Sequence, residues 1–125
     1  MEGQTESANI VHMDSVPKGE KSAGASPSEL ILQALAGCTM MDIVIMVSKA
    51  KKKIEKFWID VDADIADDFP KIFTKIHLTY NLLSPDLDDA TLERAIKLSE
   101  DKYCRVHAML AKTVNITSSY KIEKP

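Results

Sequence analysis

Cysteine is scarce in this chain. Two residues, Cys38 and Cys104, stand 66 positions apart in a length of 125. There is no C-x-x-C pair, so nothing supports a thioredoxin-type dithiol or a zinc ribbon. The three histidines, His12, His77 and His107, are scattered, and no two show ligand spacing. The expectation is therefore no metal and no cofactor. A basic surplus is missing too. Sixteen Lys and Arg against nineteen Asp and Glu leave a net charge of −3. That speaks against a nucleic-acid partner, because neutralising phosphates needs a basic surface. Arginine is reduced to Arg94 and Arg105. The opening Met1-Glu2-Gly3-Gln4 lacks the basic and then apolar start of a secretory signal. The longest near-continuous apolar run, Met40 to Val47 broken by Asp42, is too short for a membrane span. These absences lead to the expectation of one cytoplasmic domain, residues 1–125, away from membranes, in a reducing compartment that disfavours a structural disulfide. The chain has no internal repeat and no low-complexity tract.

What the chain does have is one long apolar helix. Ser26 can cap it, Pro27 takes the first helical position, and Glu29 falls three after the cap, completing a Ser-x-x-Glu capping box. From Leu30 to Val47 the non-apolar residues are Gln33, Gly37, Thr39 and Asp42 alone. A helix apolar nearly all round must be covered on most sides. At about 1.5 Å per residue it spans about 36 Å, the width of a small domain, and the remaining chain is short for wrapping it. A partner subunit is implied. The helix should end at Lys49-Ala50-Lys51-Lys52-Lys53. Those lysines complement the negative end of its dipole, and they read as a solvated terminus rather than an anion patch.

Before the helix, Glu2–Thr5 and Asn9–Met13 read as two short strands, followed by a polar loop over 14–26. After it, the period becomes two. Ile59, Val61, Ala63 and Ile65 alternate with Asp60, Asp62 and Asp64, giving a strand with one wet face. The carboxylates of Asp60, Asp62, Asp64 and Asp67 sit on that wet edge without the glycine-bearing loop of a calcium site. Asp67-Asp68-Phe69-Pro70 turns the chain. A second strand, antiparallel to the first, carries Ile72, Thr74, Ile76, Leu78, Tyr80 and Leu82 on one face, with His77 exposed on the other. Asp88 can cap a second helix, with Leu87 and Leu92 as its hydrophobic staple. The inner face of that helix is Leu92, Ala95, Ile96, Ser99 and Tyr103. Another helical turn or two follows Cys104, and Val114 to Ile122 alternate in a closing strand. The order predicts an α+β fold, with an antiparallel sheet and helices packed on one face.

Two cysteine contexts could carry chemistry. Cys38 lies about three turns inside its helix, where the dipole does little for a thiolate. By itself it reads as a small buried hydrophobe. Cys104 has Tyr103, Arg105 and His107 as neighbours. If that segment is helical, His107 lies on the same side, and a nearby cation lowers a thiol pKa. An ordinary helix-end cysteine is the alternative.

Three blocks taken together, Gly24-Ala25-Ser26-Pro27-Ser28-Glu29-Leu30, Ala34-Leu35-Ala36-Gly37-Cys38-Thr39 and Lys102-Tyr103-Cys104-Arg105-Val106, resemble the osmotically inducible protein C / organic hydroperoxide resistance (OsmC/Ohr) family. Met13-Asp14 and Ala108-Met109-Leu110-Ala111-Lys112-Thr113 are closer to its OsmC-like branch than to the hydroperoxide-resistance branch. The resemblance implies an OsmC-like fold in which the sheet packs on a long buried central helix. It also implies an intertwined homodimer with sites at the subunit interface. The activity it implies is a thiol peroxidase of the oxidative stress response. Cys38 would attack an organic hydroperoxide and become a sulfenic acid, Cys104 would resolve it to a disulfide, and an external dithiol would reduce that disulfide. This is the reversible branch of cysteine oxidation.

The chain departs from the family pattern at three places. The family's arginine from the N-terminal strand region has no counterpart here. The glutamate that should follow the proline directly is Ser28, and Glu29 comes one position late, rotated by about 100° on an ideal helix. Arg105 and His107 replace the proline and serine usual after the second cysteine, and they are the candidate supporting cations, with Glu29 better explained as a cap. A second reading keeps the fold without the enzyme: a redox-responsive or small apolar-ligand-binding dimer.

Overall fold

The helix start behaves as its residue types require. A computed structural model describes the whole chain, Met1–Pro125. Ser26 N–H donates to Glu29 Oε1 at 2.9 Å, and Glu29 N–H donates to Ser26 Oγ at 3.2 Å. These are the two reciprocal bonds of a capping box. In chain order the elements are β1 (Glu2–Gln4), β2 (Ile10–His12), α1 (Pro27–Lys49), β3 (Lys56–Ile65), β4 (Phe73–Leu83), α2 (Asp89–Leu98), a π-turn (Ser99–Tyr103), α3 (Arg105–Leu110) and β5 (Asn115–Glu123). The chain forms two compact units, Met1–Ala34 and Leu35–Pro125.

In the first unit β1 and β2 pair antiparallel, with Gly3 opposite Val11. Asp14 closes the loop that follows by accepting from the N–H groups of Ser15 and Ala23 at 2.8 and 2.9 Å. Gly24 lets the chain pass close to β2, since a Cβ there would lie 2.6 Å from the His12 carbonyl oxygen. The Ser26 N–H and hydroxyl hold the Glu29 carboxyl below its ordinary range. A depressed folded-state pKa means that the stabilisation is present above the unfolded value of 4.5 and is lost as pH falls through the lower folded value. Two results are expected in thermal melts. Ser26→Ala costs about 1 kcal/mol at neutral pH. Glu29→Ala melts below the parent at neutral pH and converges with it in acid.

In the second unit, α1 buries Leu35, Thr39, Ile43 and Val47 completely, a stripe at every fourth residue. Met41, Val44 and Ile45 stay exposed, at 68%, 43% and 52%. The single chain therefore covers one face of the helix and leaves apolar surface on another. The whole helix is long and apolar enough to cross a bilayer. This corrects the expectation drawn from the Met40–Val47 run, because Gln33, Gly37 and Thr39 separate that run from the apolar residues before it without making the helix polar.

The C-terminus of α1 is a Schellman motif. Lys52 N–H bonds the Val47 carbonyl and Lys51 N–H bonds the Ser48 carbonyl, at 3.2 and 2.9 Å. Lys51 takes the left-handed conformation, φ 61°, which glycine adopts without a Cβ penalty. Lys51→Gly is expected to stabilise the fold by about 1 kcal/mol, read as a raised urea midpoint.

β4 is the central strand of the larger sheet, antiparallel to β3 and parallel to β5. The sheet is therefore mixed, and the expected antiparallel pairing holds for β3–β4 and β1–β2. The helical segment between β4 and β5 is a crossover, which returns the chain to the starting end of β4 and makes the next strand parallel. Ile76, Leu78, Tyr80 and Leu82 form the buried face of β4. Ile72 and Thr74, expected on that face, are exposed because they precede the first β4–β5 pair, Lys75 with Asn115. Ile65 is 56% exposed beyond a register shift at Asp64. His77 is half-buried rather than free. Its ring nitrogens lie 2.6 and 3.0 Å from Thr117 and Ser119 on β5. α2 opens on Asp88, which accepts from the Thr91 N–H at 3.1 Å. The staple residues Leu87 and Leu92 are both buried, together with Ala95 and Ile96.

Candidate functional site

The π-turn determines which side chain after α2 reaches the interior. Cys104 N–H bonds the Ser99 carbonyl at 2.8 Å, a five-residue closure in place of the four-residue closure of an α-helix. The added residue shifts the helical phase by about 100°. Ser99 keeps the inner face of α2 and is fully buried, Tyr103 rotates out to 54% exposure, and Cys104 turns in to 2%. Tyr103 is thus not the core residue that an unbroken α-period predicts.

Cys104 has extended backbone, φ −76° and ψ 107°, and is the N-cap of α3. Its Sγ accepts the His107 backbone N–H at 3.3 Å. Inside the unit it meets α1. The sulfurs of Cys38 and Cys104 and a carboxylate oxygen of Asp42 all lie within 4.8 Å of one another. Asp42 follows Cys38 by one helical turn, so the two share a face. Both are half-buried. Ser99 Oγ donates to Asp42 Oδ2 at 2.9 Å, holding the carboxylate from across the site. Behind it, Tyr80 Oη donates to Glu100 Oε2 at 3.0 Å, and Ser118 Oγ donates to Glu100 Oε1 at 3.1 Å. These bonds tie the π-turn to β4 and β5.

Both cysteines are free thiols. Burial first, and then the hydrogen bond and charge of Cys38, push the Cys104 thiol up to about 12 against the opposing N–H groups of His107 and Val106. Cys104 therefore holds its proton at neutral pH and can donate S–H toward the Cys38 sulfur. Burial and Glu100 push the Tyr80 phenol up as well, so it remains the donor to that carboxylate.

The structure brings Cys38 and Cys104 together but not the three supporting candidates. Arg105 is exposed and makes no ion pair. His107 serves the site through its backbone N–H, while its ring Nε2 is buried without a partner. The Glu29 carboxylate is committed to the helix cap of the first unit. Sequence reasoning missed Asp42 and Ser99. The signal was present: Asp42 is the single charged residue between Leu30 and Val47, and a charge on a helix that must be covered needs a partner.

Comparison with known proteins bears on the family and the fold. Residues 18–119 match the family model described as OsmC-like protein. The chain is 35% identical over 120 residues to Protein YhfA of Escherichia coli strain K12, across 96% of this chain and 87% of the relative. It is similar in fold to an OsmC-like protein from Mycoplasma pneumoniae, with a TM-score of 0.78 at 18% identity over 98% of this chain and 94% of the other. The organic hydroperoxide resistance protein OhrB of Bacillus subtilis superposes with a TM-score of 0.62 at 16% identity, over 97% and 95% of the two chains.

Proposed function

The chain belongs to the OsmC-like protein family, and on that premise we propose that it is a cysteine-based thiol peroxidase acting on organic hydroperoxides. One observation carries the reading: two sulfurs 66 positions apart in sequence come within 4.8 Å in the fold. Cys38 is the nucleophile because it is half-buried and reachable, whereas Cys104 is 2% exposed. The Cys38 thiolate attacks the outer peroxide oxygen. The O–O bond breaks, the sulfur becomes a sulfenic acid, and the alkoxide takes a proton to leave as an alcohol. The Cys104 thiol then displaces water from that sulfenic acid and forms the disulfide. An external dithiol restores both thiols and is itself oxidised to a disulfide.

The apolar residues left bare on α1, Met41, Val44 and Ile45, support a homodimer in which a second copy covers that face. An apolar approach to Cys38 favours organic hydroperoxides over hydrogen peroxide. The proposed location is the cytoplasm, where dithiol reductants are supplied.

The test mixes reduced protein with one equivalent of an organic hydroperoxide and reads its intact mass. Loss of two hydrogens within seconds is expected. Thiols that survive minutes of exposure would overturn the reading. A second reading rests on Asp42: a carboxylate, rather than a cation, stands beside the sulfurs. The protein is then a redox-responsive or apolar-ligand-binding dimer that oxidises without efficient turnover. The two readings separate by whether peroxide is consumed repeatedly when dithiol is present.

A further inference from the structure

The same cluster is also a set of metal donors, a property that neither reading uses. Two thiols and one carboxylate converge from three chain positions, Cys38 and Asp42 one turn apart on α1 and Cys104 at the head of α3, with all three donor atoms within 4.8 Å of one another. In a tetrahedral zinc site, metal–sulfur bonds of about 2.3 Å and metal–oxygen bonds of about 2.0 Å place the donors roughly 3.5–3.8 Å apart. A rotamer adjustment of about an ångström closes the difference. The carboxylate is already oriented. Ser99, fully buried, donates its hydroxyl to Asp42 Oδ2 at 2.9 Å, which leaves Oδ1 for a ligand, as outer hydrogen bonds do for metal-binding carboxylates. Cys104 is held by the His107 N–H at 3.3 Å. The partial exposure of Cys38 and Asp42 leaves an entry path and a fourth coordination position for water.

We propose that Cys38, Asp42 and Cys104 of the reduced protein bind one borderline-soft divalent cation, Zn²⁺ or Cd²⁺. Two sulfur ligands exclude the hard ions Mg²⁺ and Ca²⁺, and the carboxylate favours a divalent ion over Cu(I). Binding replaces two thiol protons by the metal, with no change of oxidation state: two S–H bonds break, two metal–sulfur bonds form, and two protons are released. The disulfide state has neither thiolate to offer, so metal and disulfide exclude each other. Metal then protects the thiols from peroxide, and oxidation expels the metal. That regulatory consequence rests on the peroxidase reading; the binding itself does not.

The test titrates Cd²⁺ into reduced, metal-free protein and follows thiolate-to-cadmium charge-transfer absorption. Zn²⁺ affinity is then measured by competition with a chromophoric chelator. One equivalent is expected to bind, and Cys104→Ser should lose the absorption band. Ser99→Ala should weaken binding about tenfold, and Asp42→Asn should weaken it more. Far-ultraviolet circular dichroism confirms that each variant is folded. Absence of the band in the parent overturns the inference. So does an Asp42→Asn variant that binds as tightly as the parent, because the metal would then be held by thiols alone. Metal-free protein that forms the disulfide with peroxide yet binds no Cd²⁺ refutes the metal site and leaves the peroxidase reading standing. Metal-free protein whose thiols survive peroxide, but which binds Cd²⁺ when the ion is added, refutes the peroxidase reading and supports the metal site.

Discussion

Cys104→Ser protein exposed to one equivalent of organic hydroperoxide should gain one oxygen atom and keep it, where the parent loses two hydrogens. With no thiol within 4.8 Å to displace water, the Cys38 sulfenic acid accumulates, becomes trappable by a dimedone-type reagent, and slowly over-oxidises. Turnover with dithiol then depends on direct reduction of the sulfenic acid. The complementary Cys38→Ser variant should lose peroxide consumption by about a thousandfold or more, as expected when a nucleophile is removed, because Cys104 is buried to 2% exposure. Mass spectrometry on the two variants assigns the roles. If Cys104→Ser protects Cys38 from any oxidation, or if Cys38→Ser still consumes peroxide at the parent rate, the order of attack and resolution proposed above is wrong.

The largest stability effect is expected at Tyr80. Its ring is fully buried on the central strand and packs edge-on against Phe57 at 6.4 Å. Truncation to Ala should cost about 3–5 kcal/mol, the range for emptying an aromatic core site. Tyr80→Phe keeps the volume and removes only the hydroxyl. Glu100 is then left with the Ser118 hydroxyl as its remaining bond in this network, and the expected cost is about 1–2 kcal/mol. Urea unfolding separates the two values. The Phe variant also carries a functional readout. Glu100 belongs to the π-turn that delivers Cys104, so loosening its anchor should slow disulfide closure several-fold while leaving the first oxidation of Cys38 unchanged. A Phe variant with parental closure kinetics would show that Tyr80 serves the core alone.

Residue chemistry made much of this legible. Ser26 with Glu29, and Asp88 with Thr91, announce helix starts because their side chains satisfy specific orphan N–H groups. The alternation through Ile59–Ala63 and Ile76–Leu82 marks one-sided burial because a strand's period is two. Strand direction was not legible. A closing strand that alternates says nothing about whether it runs with or against its neighbour, and the parallel pairing of β5 with β4 comes from the crossover. Tyr103 was placed inside because helical spacing assumes 3.6 residues per turn, an assumption that fails at Ser99–Tyr103. The cysteines became a pair only through the family resemblance that their flanking residues carry, and their supporting residues were not legible at all. Arg105 is a neighbour in sequence only, and His107 meets Cys104 through its backbone N–H rather than its ring. Asp42 lies 57 positions from the Ser99 hydroxyl that holds it, a contact that no local window contains.

The π-turn has a consequence for how this site could be altered. Side-chain substitution through Ser99–Tyr103 changes what is displayed there. The number of residues in the segment decides which one is displayed inward. A five-residue closure stands where an α-helix uses four, so removing a single residue such as Lys102 would restore ordinary winding and deliver the cysteine from within a continuous helix instead of from an extended cap. Its sulfur would then lose the N–H of α3 as a partner. Scanning mutagenesis by replacement cannot detect such a dependence. In this segment the site is encoded in chain length, and deletions and insertions are the informative alleles.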